Sequence, residues 1–144
     1  MIASAWKDLP RRFGRVLLDS FVVMPNHIHG IIILKDNIGV PSNRGLSMVV
    51  GAQPVKDAIV VGADLVSARI CLSRVIQAFK STSTNAYIRG VYQQGWNKFD
   101  RSLWQRSFYD HVIRNEMDLL RVREYILNNP LQWAFDEENP ENKK

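Results

Sequence analysis

Two apolar runs, Phe21-Val22-Val23 and Ile28 to Leu34, flank a Met24-Pro25-Asn26 break. Arg15 to Met24 reads as a strand. Alternation puts Leu17, Asp19, Phe21 and Val23 on one face and Val16, Leu18, Ser20 and Val22 on the other. Apolar residues on both faces predict a strand covered on both sides. Pro25-Asn26 supplies a turn, and His27 to Leu34 returns as the second arm of a hairpin.

Helical spacing takes over elsewhere. Ile2, Ala5, Trp6 and Leu9 predict the tail of a helix that Pro10 ends. Ala68 to Arg89 predicts a longer helix with Leu72, Val75, Ile76 and Phe79 as its core stripe and Gly90 as its stop. Trp104 to Arg114 alternates as a strand. Asn115 then caps a helix with Glu116 and Asp118 in its first turn, where the helix dipole favours acid. Leu119, Val122 and Ile126 are its buried stripe, and Pro130 predicts an end near Asn129.

Lys35 to Ser67 has a different character, broken repeatedly by Gly, Pro, Asn and Ser. A short echo, Val49-Val50-Gly51-Ala52 and Val60-Val61-Gly62-Ala63, suggests a weak hairpin inside a mobile insertion. The expected organisation is one domain over 1–135, with 35–67 as the insertion and 136–144 as a frayed polar tail.

Composition narrows the class. Hydrophobic residues make up 46% and charged residues 23% of the 144, which is globular rather than disordered usage. The net charge of +5 and pI of about 9.6 suit a polyanionic partner. Cys71 stands alone, so no disulfide framework exists and a reducing compartment fits. Lys7, Asp8 and Pro10 interrupt any signal-peptide core, and no apolar run approaches the roughly 20 residues a bilayer requires. The expectation is a cytoplasmic protein without membrane contact. No Gly-rich phosphate loop, Walker-type lysine or acidic metal cluster is apparent, which argues against ATP and two-metal carboxylate chemistry.

Candidate chemistry gathers in two places. His27 and His29 alternate with Ile28, so both imidazoles share a face: a bidentate metal site, or histidines lining a wet face. Tyr125 and Asn129 are four apart, neighbours on one helix face that continues back through Arg121 and Asp118. A phenol with an ordinary pKa of about 10 is a poor nucleophile at neutral pH unless a metal polarises the phosphate it attacks. On spacing alone Tyr125 reads as a half-buried aromatic more readily than as a nucleophile, and Asn129 as a metal ligand or a helix cap. Lys80, Arg89, Arg106, Arg114 and Arg121 are candidate DNA contacts, and Ser81 to Asn85 is a phosphate-contacting or merely solvated run. Trp96 and Trp104 are base-stacking or buried aromatics. Tyr109 and His111 fit ordinary strand packing, DNA contact, or a second tyrosine with a ligand.

Three segments in order carry a resemblance: Met24-Pro25-Asn26-His27-Ile28-His29-Gly30, Leu103 to His111, and Glu124-Tyr125-Ile126-Leu127-Asn128-Asn129-Pro130. Together they resemble the REP-associated tyrosine transposases, within the single-tyrosine HUH nucleases, from about Trp6 to Pro130. The resemblance implies an α+β fold with a ferredoxin-like antiparallel sheet. It implies His27 and His29 as ligands of a divalent metal, Mg2+ or Mn2+, with Asn129 where that family has a third polar ligand. It implies Tyr125 as the nucleophile that cleaves single-stranded or hairpin DNA through a 5′-phosphotyrosine and frees a 3′-hydroxyl. Family members carry a strand and a fuller helix before the position of Trp6. An N-terminally truncated version is therefore expected, with the neighbours of that central strand unpaired or re-paired. The alternatives are a hairpin-binding remnant without a competent site, and an unrelated metal hydrolase. A monomer and a homodimer are both compatible with the sequence.

Overall fold

The computed structural model describes residues 1–35, 46–51, 65–135, 139 and 142. The elements run α1 (Ile2–Lys7), α2 (Leu9–Arg12), β1 (Val16–Val23), β2 (Ile28–Leu34), β3 (Leu46–Gly51), α3 (Leu65–Gln94), β4 (Tyr109–Val112) and α4 (Glu116–Gln132). A 3-10 turn, Trp133–Phe135, follows α4. The class is α+β. The four strands form one antiparallel sheet in the order β1-β2-β3-β4.

The sheet is covered on both faces, as the doubly apolar pattern of β1 and β2 requires. On one face Val16, Ile28, Ile32 and Leu34 pack with Ala5, Trp6 and Leu9 from α1 and α2 and with Leu72, Val75, Ile76 and Phe79 from α3. On the other, Ile31 packs with Ile113 and Ile126, flanked by Val22, Ile33, Leu119 and Val122. That second layer is α4. The predicted stripes of both long helices are the ones buried.

Gly30 lets the first layer sit close. A Cβ there would lie 2.5 Å from Trp6 Cζ2 and 2.6 Å from Cη2. The indole therefore lies against bare strand backbone, stacked on Phe21 at 4.5 Å and edge-on to Phe79 at 5.7 Å.

Several boundaries differ from the sequence expectation. Pro10 does not end the first helix; α1 stops at Asp8, and Pro10 sits in the opening turn of α2, where its missing N–H costs nothing. β1 contains a bulge between Leu18 and Phe21. The extra residue resets the alternation, so Leu18 and Phe21 pack in the same cluster while Leu17 is exposed. α3 passes through Gly90 and ends before Gly95, whose φ of 69° is the left-handed conformation glycine tolerates. Gly90 is instead where the Trp96 ring packs on the helix.

The strand expected from Trp104 contracts to Tyr109–Val112. Trp104 donates its indole N–H to Ser83 Oγ at 2.8 Å, and Lys80 Nζ binds the carbonyls of Gln105 and Ser107, each at 2.8 Å. Those contacts tie 104–107 to α3 rather than to a sheet. α4 continues past Asn129 through Pro130, and the N–H of Trp133 still reaches the Asn129 carbonyl. At its other end Asn115 caps as expected, accepting from the Asp118 N–H at 2.8 Å.

Within the expected insertion, Leu46–Gly51 is a full strand: it pairs with β2 from His29 to Leu34 and with β4 from Tyr109 to Val112. β2 thus has a neighbour on both sides. The second Val-Val pair, Val60-Val61, lies outside the described residues. Of the polar tail, Asn139 is buried and donates to the Trp133 carbonyl, and Asn142 donates to that of Ala134. At these two positions the tail is held against the 3-10 turn rather than frayed.

Candidate functional site

The β1–β2 turn closes with the Met24 N–H on the His27 carbonyl at 2.8 Å, which sets His27 at the mouth of β2 and His29 one pleat further on. Both side chains are buried, about 5% exposed. Their rings lie 4.6 Å apart, nearly perpendicular. With a metal–nitrogen bond of about 2.1 Å, an ion sits roughly 3.2 Å from each ring centre, and a right angle at the ion separates the centres by about 4.5 Å. The ring separation is that of two imidazoles able to share one cation. Asn26 Oδ1 lies 2.6 Å from His27 Nδ1. A carboxamide oxygen only accepts, so Nδ1 is the donor in this contact, the tautomer in which a histidine ligates a metal through Nε2.

α4 brings the phenol to the same place. The ring of Tyr125 stands edge-on to His29 at 5.3 Å, and the residue is 45% exposed. Asn129, one turn on, is buried. Past Pro130, Trp133 approaches His27 at 6.1 Å. The structure thus brings His27, His29 and Tyr125 together, with Asn129 on the same flank of the helix. Among the described residues no three His, Cys, Asp or Glu side chains gather as a metal cluster. Two imidazoles and a carboxamide are a donor set of another composition.

Sheet register adds a residue. Val22, His29, Gly51 and Tyr109 are successive partners across the four strands, so Tyr109 shares the face of His29. Two strand spacings separate them, about 10 Å. His111 is on that face too, its Nε2 3.7 Å from Asp118 Oδ2 at the start of α4.

α4 is held by an ion pair that spacing alone did not reveal. Arg123 donates to Asp19 in the β1 bulge, Nη2 to Oδ2 at 2.6 Å and Nε to Oδ1 at 3.1 Å. The Arg123 hydrogen bonds hold the Asp19 carboxyl below its usual range, against the opposing effect of burial. The same contact raises the Arg123 guanidinium.

The candidate DNA contacts divide between the two faces. Lys80 and Arg106 line a cleft of about 650 Å³ along α3, with Arg101 beside them. Burial pushes the Lys80 ammonium below its ordinary value, and two of its three donors are committed to backbone carbonyls. Arg89 is exposed further along α3. Arg114 and Arg121 are exposed beside and on α4, the side of the histidines. A second cleft of about 720 Å³ adjoins the first through Gln77 and Ser81 and is lined by Arg12, Arg15 and Arg74. Arg12 and Arg15 are three residues apart, and Arg74 joins them from a remote part of the sequence.

No family model matches this chain. No solved structure matches it either. A protein of Haemophilus influenzae, described as an uncharacterized protein, is 30% identical over 136 residues, 94% of this chain. The aligned region spans 66% of that protein's length. The similarity therefore extends through both halves of the site, the histidine hairpin and α4, without a function attached. No helix among the described residues is long and apolar enough to cross a membrane.

Proposed function

We propose that the chain is a metal-dependent DNA strand-cleaving and strand-transferring protein of the HUH transposase type, with Tyr125 as nucleophile and hairpin-forming single strands as substrate. The observation that carries this reading is the approach of a half-exposed phenol to a buried histidine pair from opposite ends of the chain. His27 and His29 would hold the cation through ring nitrogens, and Asn129 would add its amide oxygen. A divalent ion of the Mg2+ or Mn2+ kind supplies charge neutralisation at the phosphate.

The chain's own residues do the rest. Asn26 fixes the His27 tautomer. The sheet and α4 set the angle from which the phenol reaches the phosphorus, a positioning effect on which such chemistry depends strongly. Tyr125 Oη bonds to phosphorus, the bond to the 3′-oxygen of the preceding nucleotide breaks, and the phenol proton ends on that oxygen. The products are a 5′-phosphotyrosine and a free 3′-hydroxyl. Attack by a second 3′-hydroxyl on the phosphotyrosine completes strand transfer and returns the phenol. Arg114 on the site face, and the arginines of the α3 clefts, would track phosphates and make binding salt-dependent.

The test is incubation of end-labelled hairpin single strands with Mn2+ and either the wild-type chain or Tyr125→Phe. A covalent adduct with the wild type, absent in the variant, is expected. Equal cutting by Tyr125→Phe contradicts the assignment. If that cutting is lost in His29→Ala, a metal hydrolase is indicated. Salt-sensitive binding without any adduct would favour a DNA-binding remnant.

A further inference from the structure

The outward face of α4 carries an apolar stripe that nothing in the described chain covers. Met117, Leu120, Leu127 and Leu131 are all exposed, Leu131 to 78%, and so is Phe135 in the 3-10 turn that follows. With Glu124 they fall at intervals of three and four residues, the spacing of a coiled-coil seam. The stripe lies opposite Leu119, Val122 and Ile126, which α4 buries against the sheet. Tyr125 is roughly 120° round the helix from its centre at 100° per residue. The seam and the phenol are therefore separate surfaces.

A solvated helix has no use for such a face. The four open side chains of the Met117–Leu131 seam present on the order of 500 Å² of apolar surface, against roughly 800 Å² per partner in a standard interface. The polar residues along the seam make up the difference and specify what covers it. Glu124 is the one acid in the stripe, and Arg121 stands one turn before it on the stripe's edge. Antiparallel pairing of two α4 helices, centred between these positions, sets each Glu124 against the other copy's Arg121. Both contacts form at once, as a two-fold interface requires. In that register Met117 of each copy enters the space around Leu127 and Leu131 of the other.

We infer that the outer face of α4 is a dimerisation surface on which a second copy of this chain packs antiparallel through the Met117–Leu131 seam, with reciprocal Glu124–Arg121 pairs fixing the register. Two Tyr125 flanks then lie on one particle, outside the seam. The inference stands whether or not Tyr125 is a nucleophile.

Sedimentation equilibrium of the full chain, over concentrations spanning the micromolar range, tests it. A monomer–dimer equilibrium is expected. Leu127→Asp and Leu131→Asp, both at solvent-facing positions, should each weaken it at least about thirtyfold while leaving the thermal melt of the monomer in place. Glu124→Arg and Arg121→Glu should each weaken it, and the two together should restore it. A monomer at every concentration overturns the proposal. So does a dimer indifferent to Leu127→Asp and Leu131→Asp, open-ended association without a fixed stoichiometry, or a double charge reversal no better than the singles.

Discussion

Arg123 grips Asp19 with both arms of its guanidinium, at 2.6 and 3.1 Å, across 104 positions of sequence. Asp19 reaches the face of α4 because it shares that face with Leu17, the partner of Ile33, just before the bulge in β1 resets the alternation. Arg123 lies two residues before Tyr125, on the other flank of the helix. The pair therefore fixes the rotation of α4 that turns the phenol toward His29.

Breaking the pair should cost stability with a defined pH signature. Asp19→Asn is expected to lower unfolding free energy by about 1–2 kcal/mol near neutrality, a value held down by the partial exposure of Arg123. The Asp19 pKa is lowered on folding, so its contribution is complete above the ordinary value of 3.8 and is lost as pH falls through the lower folded value. Denaturant melts of wild type and variant should differ at pH 7 and converge as pH falls through the folded value. A gap that persists in acid would mean that the bidentate pair is not its source.

Gly30→Ala should destabilise the fold by about 1–3 kcal/mol, because its Cβ must displace Trp6 from both Phe21 and Phe79. Trimming the indole in the same chain, as Trp6→Leu, should make the second substitution cost much less than it does alone. Strictly additive losses in denaturant melts would show that the close approach does not matter.

How much of this was legible depends on whether the cause is local. The α3 stripe and the Asn115 cap were readable because each is an interaction between residues a turn apart. Gly90 looked like a helix stop, since its actual constraint is a ring six residues on that folds back over it. Alternation along β1 could not disclose the bulge, which exists only in relation to β2. Leu46–Gly51 lies in a stretch broken by Gly, Pro and Asn, and its pairing partners on β2 and β4 are remote in sequence. For the site, the histidine pair and Tyr125 stood out by type and spacing. Asp19, Arg123 and Trp133 did not, because what makes them matter is a partner elsewhere in the chain.

Ser83 is fully buried and joins two groups, donating to the Phe79 carbonyl at 2.8 Å and accepting from the Trp104 indole. Ser83→Ala strands that indole N–H and should cost about 1–2 kcal/mol in a denaturant melt. Trp104 fluorescence should report loosening of 104–107 well before global unfolding. Coincident transitions in the variant would contradict this account of the Trp104 anchor.

The Asn26 contact makes a claim about metal affinity. Asn26→Ala frees His27 Nδ1 from its acceptor and leaves the ring to choose its tautomer. Mn2+ binding followed by electron paramagnetic resonance should weaken about 10–100-fold, the effect usual for loss of an outer partner of a histidine ligand. An unchanged affinity would remove Asn26 from the site.

The most direct measurement is peptide mapping by mass spectrometry after reaction with a hairpin single strand and Mn2+, followed by nuclease digestion. Two tyrosines, Tyr125 and Tyr109, face the histidine side of the sheet, so the position of the added nucleotide decides between them. The account predicts a phosphonucleotide mass on the α4 peptide containing Tyr125, abolished by His29→Ala. Modification at Tyr109 instead, or no modified peptide from a chain that demonstrably binds the metal and the DNA, would contradict it.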